Sequence, residues 1–256
     1  MRILAIGDIV GLSALSYVTD RLWALRREYK IDFTVANGEN VCEIHGIGTE
    51  EAKALLSAGV DVITLGNHVW NRKDIVSFLD SSSEIVRPCN YPAANPGNGY
   101  TILNVNGWRV LCMNASGCVY MDPLNSPFEA VDRILEREKG SYDLSLLDFH
   151  AEATSEKLAM GYYLDGRVDI VFGTHTHVQT ADEKILPKGT GYITDLGMCG
   201  PQNGILGTDA DAVIHRFRTM MPTRFSVADG PVSAQGVIFD VDEGAGKVRK
   251  VTRVSF

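Results

Sequence analysis

Three features of the sequence predict an α/β fold: short Ile-, Val- and Leu-rich runs alternate with amphipathic stretches, a hairpin signal interrupts them midway, and the C-terminal part reads as strands and turns. Taken in order, "RILAIG", "DFTVAN", "DVITLG", "LSLLDF" and "DIVFG" read as strands buried on both faces, the pattern of parallel units. They are separated by "SALSYVTDRLWALRREY", "TEEAKALLSAG", "KDIVSFLD", "PFEAVDRILERE" and "TSEKLAMGYYL", which read as helices. "GYTILNVNGWRVLCMNA" is two alternating segments joined by Asn106-Gly107, a dipeptide suited to the two positive φ angles of a type I′ turn. "GTGYITDLG" and "RFSVADGPVSAQGVIFDVDEGAGKVRKVTRVSF" carry no long helix, so an antiparallel layer is expected after the parallel units. No repeat, low-complexity tract or Pro/Ser-rich linker interrupts the chain, and residues 1–256 are expected to form one domain.

Composition narrows the function classes. Lys+Arg 24 against Asp+Glu 32 gives a net charge of −8, which disfavours an extended nucleic-acid or anionic-membrane face and leaves a phosphate-bearing substrate to be attracted locally. The five cysteines, Cys42, Cys89, Cys112, Cys118 and Cys199, are odd in number and form no C-x-x-C pair, so neither a thiol redox motif nor a zinc-thiolate knuckle is suggested and a reducing cytoplasm is expected. "MRILAIGDIVG" is too short an apolar run for a signal peptide, and no 18-residue apolar stretch occurs, so no membrane association is expected. The absence of GxxxxGK[ST], GxGxxG and G-x-S-x-G motifs removes the usual phosphate cradles and the hydrolase elbow.

The polar residues cluster where those five runs end. Asp8 follows the first, Glu39 and Asn40 the second, Asn67 and His68 the third, His150 the fourth, and His175 and His177 the fifth. Ligand crevices in α/β sheets open at the carboxyl ends of strands, so side chains from five distant segments can converge on one spot. In an extended segment His175 and His177 point to the same side, which supplies two imidazoles at once. Imidazole, carboxylate and amide donors without thiolate suit iron or manganese best, with zinc next. Seven ligands, Asp8, Glu39, Asn40, Asn67, His150, His175 and His177, exceed the needs of one ion, whereas two ions about 3.5–4 Å apart would use them all. Glu39, midway along this set, is the bridging candidate.

"GDIVG" at 7–11, "NGEN" at 37–40, "GNH" at 66–68, "DFHAEATSEK" at 148–157 and "GTHTHVQTADE" at 173–183 resemble the calcineurin-like metallophosphoesterases, specifically their bacterial YmdB-type branch. The likeness extends to "RPCNYP" at 87–92 and "YITDLGMCGP" at 192–201, so it covers nearly the whole chain. It implies a four-layer α/β/β/α sandwich, a dinuclear centre and phosphoester hydrolysis, with small 2′,3′-cyclic nucleotides as the branch's substrates. One departure is Val10, which stands where most of the superfamily has a histidine. The branch suggests Asn40 as the replacement, which assigns Asp8, Glu39, Asn40 and His177 to one ion and Glu39, Asn67, His150 and His175 to the other. A second departure is "VCEIHGIG" at 41–48, where His45 is expected to face solvent more readily than substrate.

Hydroxide attack on phosphorus between two cations needs a proton donor for the leaving alkoxide, and His68, beside Asn67, is placed for it; the alternative is a hydrogen bond that orients a ligand. The partner implied is a small phosphodiester, and a homo-oligomer is admitted. A phosphomonoesterase, an RNA nuclease or a metal-dependent regulatory protein with incidental hydrolysis stands as the alternative. Weaker readings attach to other residues. Thr154 or Ser155 should cap a helix with Glu156 in its first turn and Lys157 after it, while Glu152 and Thr154 could support the site. Arg72, Arg87 and Arg167 read as surface arginines before phosphate clamps, Tyr162 and Tyr163 as core, and Trp70 as a candidate for substrate stacking.

Overall fold

The computed structural model describes residues 1–43 and 45–256. At its centre, β1 (Arg2–Ile6) alternates its side chains between two different cores, as the two-residue period of a strand requires. Ile3 and Ala5 face one way and Leu4 and Ile6 the other, so every position after Arg2 is buried. The same holds for β3 (Phe33–Asn37), β8 (Leu144–His150) and β9 (Ile170–Thr174), which explains why these segments read as continuous apolar runs.

Two six-stranded sheets result. The first runs β15 (Lys247–Ser255), β14 (Gln235–Asp242), β1, β3, β4 (Val62–Thr64), β5 (Ile85–Val86), with β1, β3, β4 and β5 parallel. The second runs β10 (Lys184–Ile185), β11 (Gly191–Ile193), β9, β8, β7 (Trp108–Ser116), β6 (Tyr100–Val105). A three-stranded sheet of β13 (Val232–Ser233), β12 (Met198–Pro201) and β2 (Asp8–Ile9) carries the first motif. The five parallel runs of the sequence are therefore divided between two sheets. Asn106 (φ 51°) and Gly107 (φ 87°) make the expected turn between β6 and β7.

Among the described residues, three buried clusters hold these elements together. Ile3, Phe33 and Val35 from the first sheet meet Cys112, Leu146 and Phe172 from the second in a core between the sheets. On the outer side of the first sheet, Leu4, Ile6 and Ile63 pack against Val18 and Leu22 of α1 (Gly11–Tyr29), Leu55 of α2 (Thr49–Ser57) and Leu79 of α3 (Ile75–Ser81). Beyond the second sheet, Leu111, Leu147 and Phe149 pack against Val131 and Ile134 of α4 (Pro127–Arg137) and Met160 and Leu164 of α5 (Thr154–Leu164). Each such fully buried Leu, Ile or Phe stabilises the fold by about 1.5–3 kcal/mol relative to an exposed one.

Several expectations need correction. The C-terminal strands form no separate layer: β14 pairs antiparallel with β1, because the apolar faces of β14 supply both cores that β1 separates. A sixth helix, α6 (Ala210–Thr219), escaped the sequence reading because only Val213 is buried on it. Neither Thr154 nor Ser155 caps α5, whose N-cap Ala153 offers no side-chain bond; Glu156 instead accepts the Cys118 and Val119 amides at 2.9 and 3.2 Å. Tyr162 and Tyr163 lie on the surface, where Tyr163 bonds Asp132. Arg87 is buried and donates to the Pro88, Asn95 and Pro96 carbonyls, so it holds its own loop. No helix among the described residues is long and apolar enough to cross a membrane.

Candidate metal centre

Glu39, Asn40, His175 and His177 line one cleft of about 280 Å³, with Asp8 3.8 Å from His177 and His150 in contact with both Glu39 and Asn67. Asp8 opens β2 after the Gly7 break, and Asn40 is fixed beside it by a bridge between Val10 and Asn40 and by the Gly11 N–H donating to the Asn40 carbonyl at 3.0 Å. Glu39 follows β3, His150 ends β8, and His175 and His177 follow β9. Gly66 lets the chain after β4 pass close to them: a Cβ there would collide with the Glu39 carboxylate and the His150 ring.

Two groups meet at Glu39. On one side, His150 Nε2 lies 3.0 Å from Glu39 Oε1, 2.9 Å from Asn67 Oδ1 and 3.1 Å from His175 Nδ1. A single ring nitrogen cannot donate to three acceptors, so these donor atoms converge in a way that a shared cation explains and hydrogen bonding does not. On the other side, Asn40 Nδ2 lies 3.3 Å from Glu39 Oε1 and 3.2 Å from His177 Nε2, and Asp8 Oδ1 lies 3.8 Å from His177 Nε2. Asp8 Oδ1 is buried without any hydrogen-bond partner among the described residues. Such an orphaned carboxylate oxygen is costly unless a cation faces it. The donor set therefore fits a metal. Turning the Asn40 amide over would aim its oxygen at Glu39 and His177, where a cation between them could take it as a ligand.

The surrounding residues fix which nitrogen each histidine presents. His150 Nδ1 lies 2.9 Å from Thr174 Oγ1, whose hydroxyl donates to Asp148 Oδ1 at 2.7 Å, so Nε2 is left for the site. His177 Nδ1 donates to the Leu206 carbonyl at 3.0 Å, leaving Nε2, whereas His175 Nε2 meets Glu152 Oε2 at 3.1 Å and leaves Nδ1. Burial pushes Asp8 up, with His177 and His150 only partly opposing it. Burial also pushes Glu39 up, but His150 and His68 overturn that and hold it well below the usual carboxylate range. His150 is driven down by burial yet raised to about 9 by Glu39, Asp8 and Asp148, while burial and the neighbouring His150 push His175 down to about 3.

The remaining candidates sort themselves by position. His68 lines the cleft, with Nδ1 2.8 Å from Asn40 Oδ1 and its backbone N–H donating to Glu39 Oε2 at 3.1 Å. His45 is exposed as expected, yet it also lines the cleft, with its ring centroid 4.1 Å from that of His68. Val10 forms part of the wall, and Glu152 contributes its contact to His175. Trp70 packs edge-on against Tyr91 in the helix-side core, away from the cleft. Arg72 pairs with Asp74 and Arg167 with Asp132, outside the site. A larger cavity of about 610 Å³, lined by Leu12, Glu43 and Arg224, adjoins the cleft at Phe225 but contains none of the ligands.

A family model described as YmdB-like protein matches residues 4–254. The chain belongs to the YmdB-like family. It is 45% identical over 254 residues to a Bacillus subtilis protein named 2′,3′-cyclic-nucleotide 2′-phosphodiesterase, covering 99% of this chain and 96% of that one. A crystal structure of a hypothetical protein from Thermus thermophilus superposes with TM-score 0.94 at 42% identity, covering 100% and 99% of the two chains. A crystal structure described as a novel phosphatase from Mycoplasma pneumoniae gives TM-score 0.94 at 32% identity, covering 100% and 93%. This YmdB-like chain is accordingly an enzyme of the phosphoesterase class.

Sequence reasoning missed Asp148, Thr174 and Asn37. Asp148 is buried and accepts from Thr64 Oγ1 at 2.5 Å, Thr174 Oγ1 at 2.7 Å and Asn37 Nδ2 at 3.2 Å, and burial raises it to about 6. The available signal was a charged residue inside the mostly apolar "LSLLDF", since a carboxylate in a doubly buried strand needs partners.

Proposed function

We infer that the protein is a dinuclear-metal phosphodiesterase of the four-layer α/β/β/α type, acting on small cyclic nucleotides, with 2′,3′-cyclic nucleoside monophosphates as the substrate class. The observation that carries the dinuclear reading is the position of Glu39 Oε1, 3.0 Å from His150 on one side and 3.3 Å from Asn40 on the other. Asp8, Asn40 and His177 would hold one ion and Asn67, His150 and His175 the other, with Glu39 placed to serve both. Iron or manganese fits this oxygen–nitrogen set, with zinc as the alternative. The substrate class is supported by the name of the Bacillus subtilis relative. A small diester also suits a cleft of about 280 Å³ and a chain of net charge −8, and a cytoplasmic location fits both.

Bound there, two such ions supply Lewis acidity toward the phosphoryl oxygens and a water that is acidic near neutrality. The chain's own residues do the rest. As an imidazolium, His68 holds its Nδ1–H toward Glu39 Oε1, 3.4 Å away, and its Nε2–H protonates the departing ribose oxygen as the oxygen of water bonds to phosphorus and the P–O bond breaks, leaving the ring neutral. His45 sits against the His68 ring and shares in shaping the leaving-group side of the cleft.

The test is metal analysis of the freshly purified protein, followed by kcat/KM with Mn²⁺ for a 2′,3′-cyclic nucleotide, a 3′,5′-cyclic nucleotide, a short RNA and a monoester. Two ions per chain and a clear preference for the 2′,3′-cyclic compound are expected. Equal turnover of the monoester would move the function to phosphatase, and no turnover of any of the four would reject the enzymatic reading of this centre.

A further inference from the structure

Lys157 and Asp195 form an ion pair sealed from water, with Nζ 2.6 Å from Oδ2 and side chains 2% and 1% exposed. As a source of stability such a pair is unremarkable, since apolar residues of similar volume often serve as well. What singles it out is the rest of the hydrogen bonding to Asp195. The same Oδ2 accepts the Thr176 amide N–H at 3.2 Å and the Thr176 hydroxyl at 2.7 Å, and Oδ1 accepts the Gly197 N–H at 2.8 Å. The Asp195 backbone is bound to the far end of the same loop: its N–H donates to Thr180 Oγ1 at 3.0 Å, and its carbonyl accepts the Thr180 N–H at 3.2 Å.

Thr176 is the residue between His175 and His177, and those two histidines have φ of 98° and 63°. Residues other than glycine hold left-handed backbone only where their surroundings over-determine it. Here the over-determination comes through the intervening residue, gripped at both its amide and its hydroxyl by one carboxylate. Lys157 reaches that carboxylate from the first turn of α5 by passing beneath Gly173, where a Cβ would stand 2.9 Å from Lys157 Cδ and 3.0 Å from Cε. The ammonium balances the charge that lets one buried group accept from four donors.

We propose that Asp195, anchored by Lys157, is a positioning residue for both loop histidines: through Thr176 it fixes the backbone that turns His175 Nδ1 and His177 Nε2 into one cleft. The metal-binding consequence rests on the reading of the metal centre given above, whereas the clamp on the loop does not, and the two are read separately.

The test uses the full chain, as parent, Thr176→Val and Lys157→Met/Asp195→Leu. Hydrogen–deuterium exchange of the 175–178 amides in metal-free protein reads the clamp, and Mn²⁺ titration of metal-stripped protein reads its consequence. Both variants are expected to exchange these amides roughly tenfold faster while β9 keeps its protection. Both should bind Mn²⁺ about 10- to 100-fold more weakly, the usual effect of losing a residue that orients ligands. The double variant leaves the Thr176 and Gly197 donors without their acceptor and should have a lower thermal midpoint, but Thr176→Val, which keeps the ion pair, should lose Mn²⁺ affinity as well, a pattern that a purely structural pair would not produce. Thr176→Val leaves the ion pair whole, so it folds whatever the pair contributes; parental exchange in that variant, or parental Mn²⁺ affinity in the double variant, overturns the proposal. A parent that binds no Mn²⁺ while Thr176→Val still exchanges faster would reject the metal centre and leave the clamp standing.

Discussion

His150 Nε2 lies 3.0 Å from Glu39 Oε1, and neither side chain is open to water. Burial alone would keep the imidazole neutral, but Glu39, Asp8 and Asp148 raise it to about 9, above the roughly 6.5 of an unpaired histidine. A raised folded value means that the pair stabilises the metal-free protein fully below pH ~6.5 and that this contribution is lost as pH rises through about 9. His175, pushed down to about 3, is already neutral near pH 7.

A ligating imidazole must give up its proton, so loading the metal-free protein at pH 7.5 should release about one proton per chain from His150. The apparent Mn²⁺ affinity should tighten about tenfold between pH 7 and 8 for the same reason. Calorimetry in two buffers of different ionisation enthalpy measures the release, and a value near zero would show that His150 is neutral before the metal arrives.

Thr174 Oγ1 accepts from His150 Nδ1 and donates to Asp148 Oδ1, with all three side chains buried. Thr174→Val keeps the shape and leaves two buried polar groups short of a partner, each costing about 1–3 kcal/mol. The variant should unfold at lower denaturant with an unchanged slope and bind Mn²⁺ about 10- to 100-fold more weakly. Parental stability together with parental affinity would show that the hydroxyl is not part of how His150 is oriented.

Gly66 is the close-approach position under the site. Gly66→Ala would drive a methyl group into the Glu39 carboxylate and the His150 ring, both already packed on their other sides. Overpacking of this kind costs about 1–3 kcal/mol, and here the shift falls on two ligands. Mn²⁺ stoichiometry should drop below that of the parent, measured on protein shown by circular dichroism to be folded; an unchanged stoichiometry would mean that the loop after β4 gives way instead.

The parts of this arrangement that follow from local chain properties are the parts legible in the sequence. "ILAI" in β1 and "IVF" in β9 are apolar at every position because both strands feed two cores, and Asp8, His150 and His175 are conspicuous because they stand where such runs stop. Residues that act through a distant partner gave no such signal. Lys157 looked like a helix-terminus lysine because its carboxylate lies 38 positions away, and Thr174 carried no signal because its acceptor lies on the neighbouring strand. The position of β14 between β15 and β1 depends on a pairing of residues at least 230 positions apart, which no local pattern carries. Likewise α6 gave no clear core-facing stripe, since Ile214 and Phe217 are exposed and only Val213 is buried.

His68 is the remaining group whose role separates catalysis from support. Its Nδ1 is committed to Asn40 at 2.8 Å and lies 3.4 Å from Glu39 Oε1, while its side chain, 24% exposed, borders the cleft. If its Nε2 donates a proton to the leaving oxygen, the loss on removing it must scale with how much that oxygen needs a proton. His68→Ala should therefore lower kcat by about 10²–10⁴ for a 2′,3′-cyclic nucleotide, whose leaving group is an alkoxide. A p-nitrophenyl diester leaves without such help and should lose far less, with KM little changed for either. Mn²⁺ content should match the parent, because His68 supplies no donor to either side of Glu39 in the ligand set. Equal losses on the two substrates, or loss of metal, would make His68 a residue that holds Asn40 and Glu39 in place and would assign the proton to another group on the cleft wall.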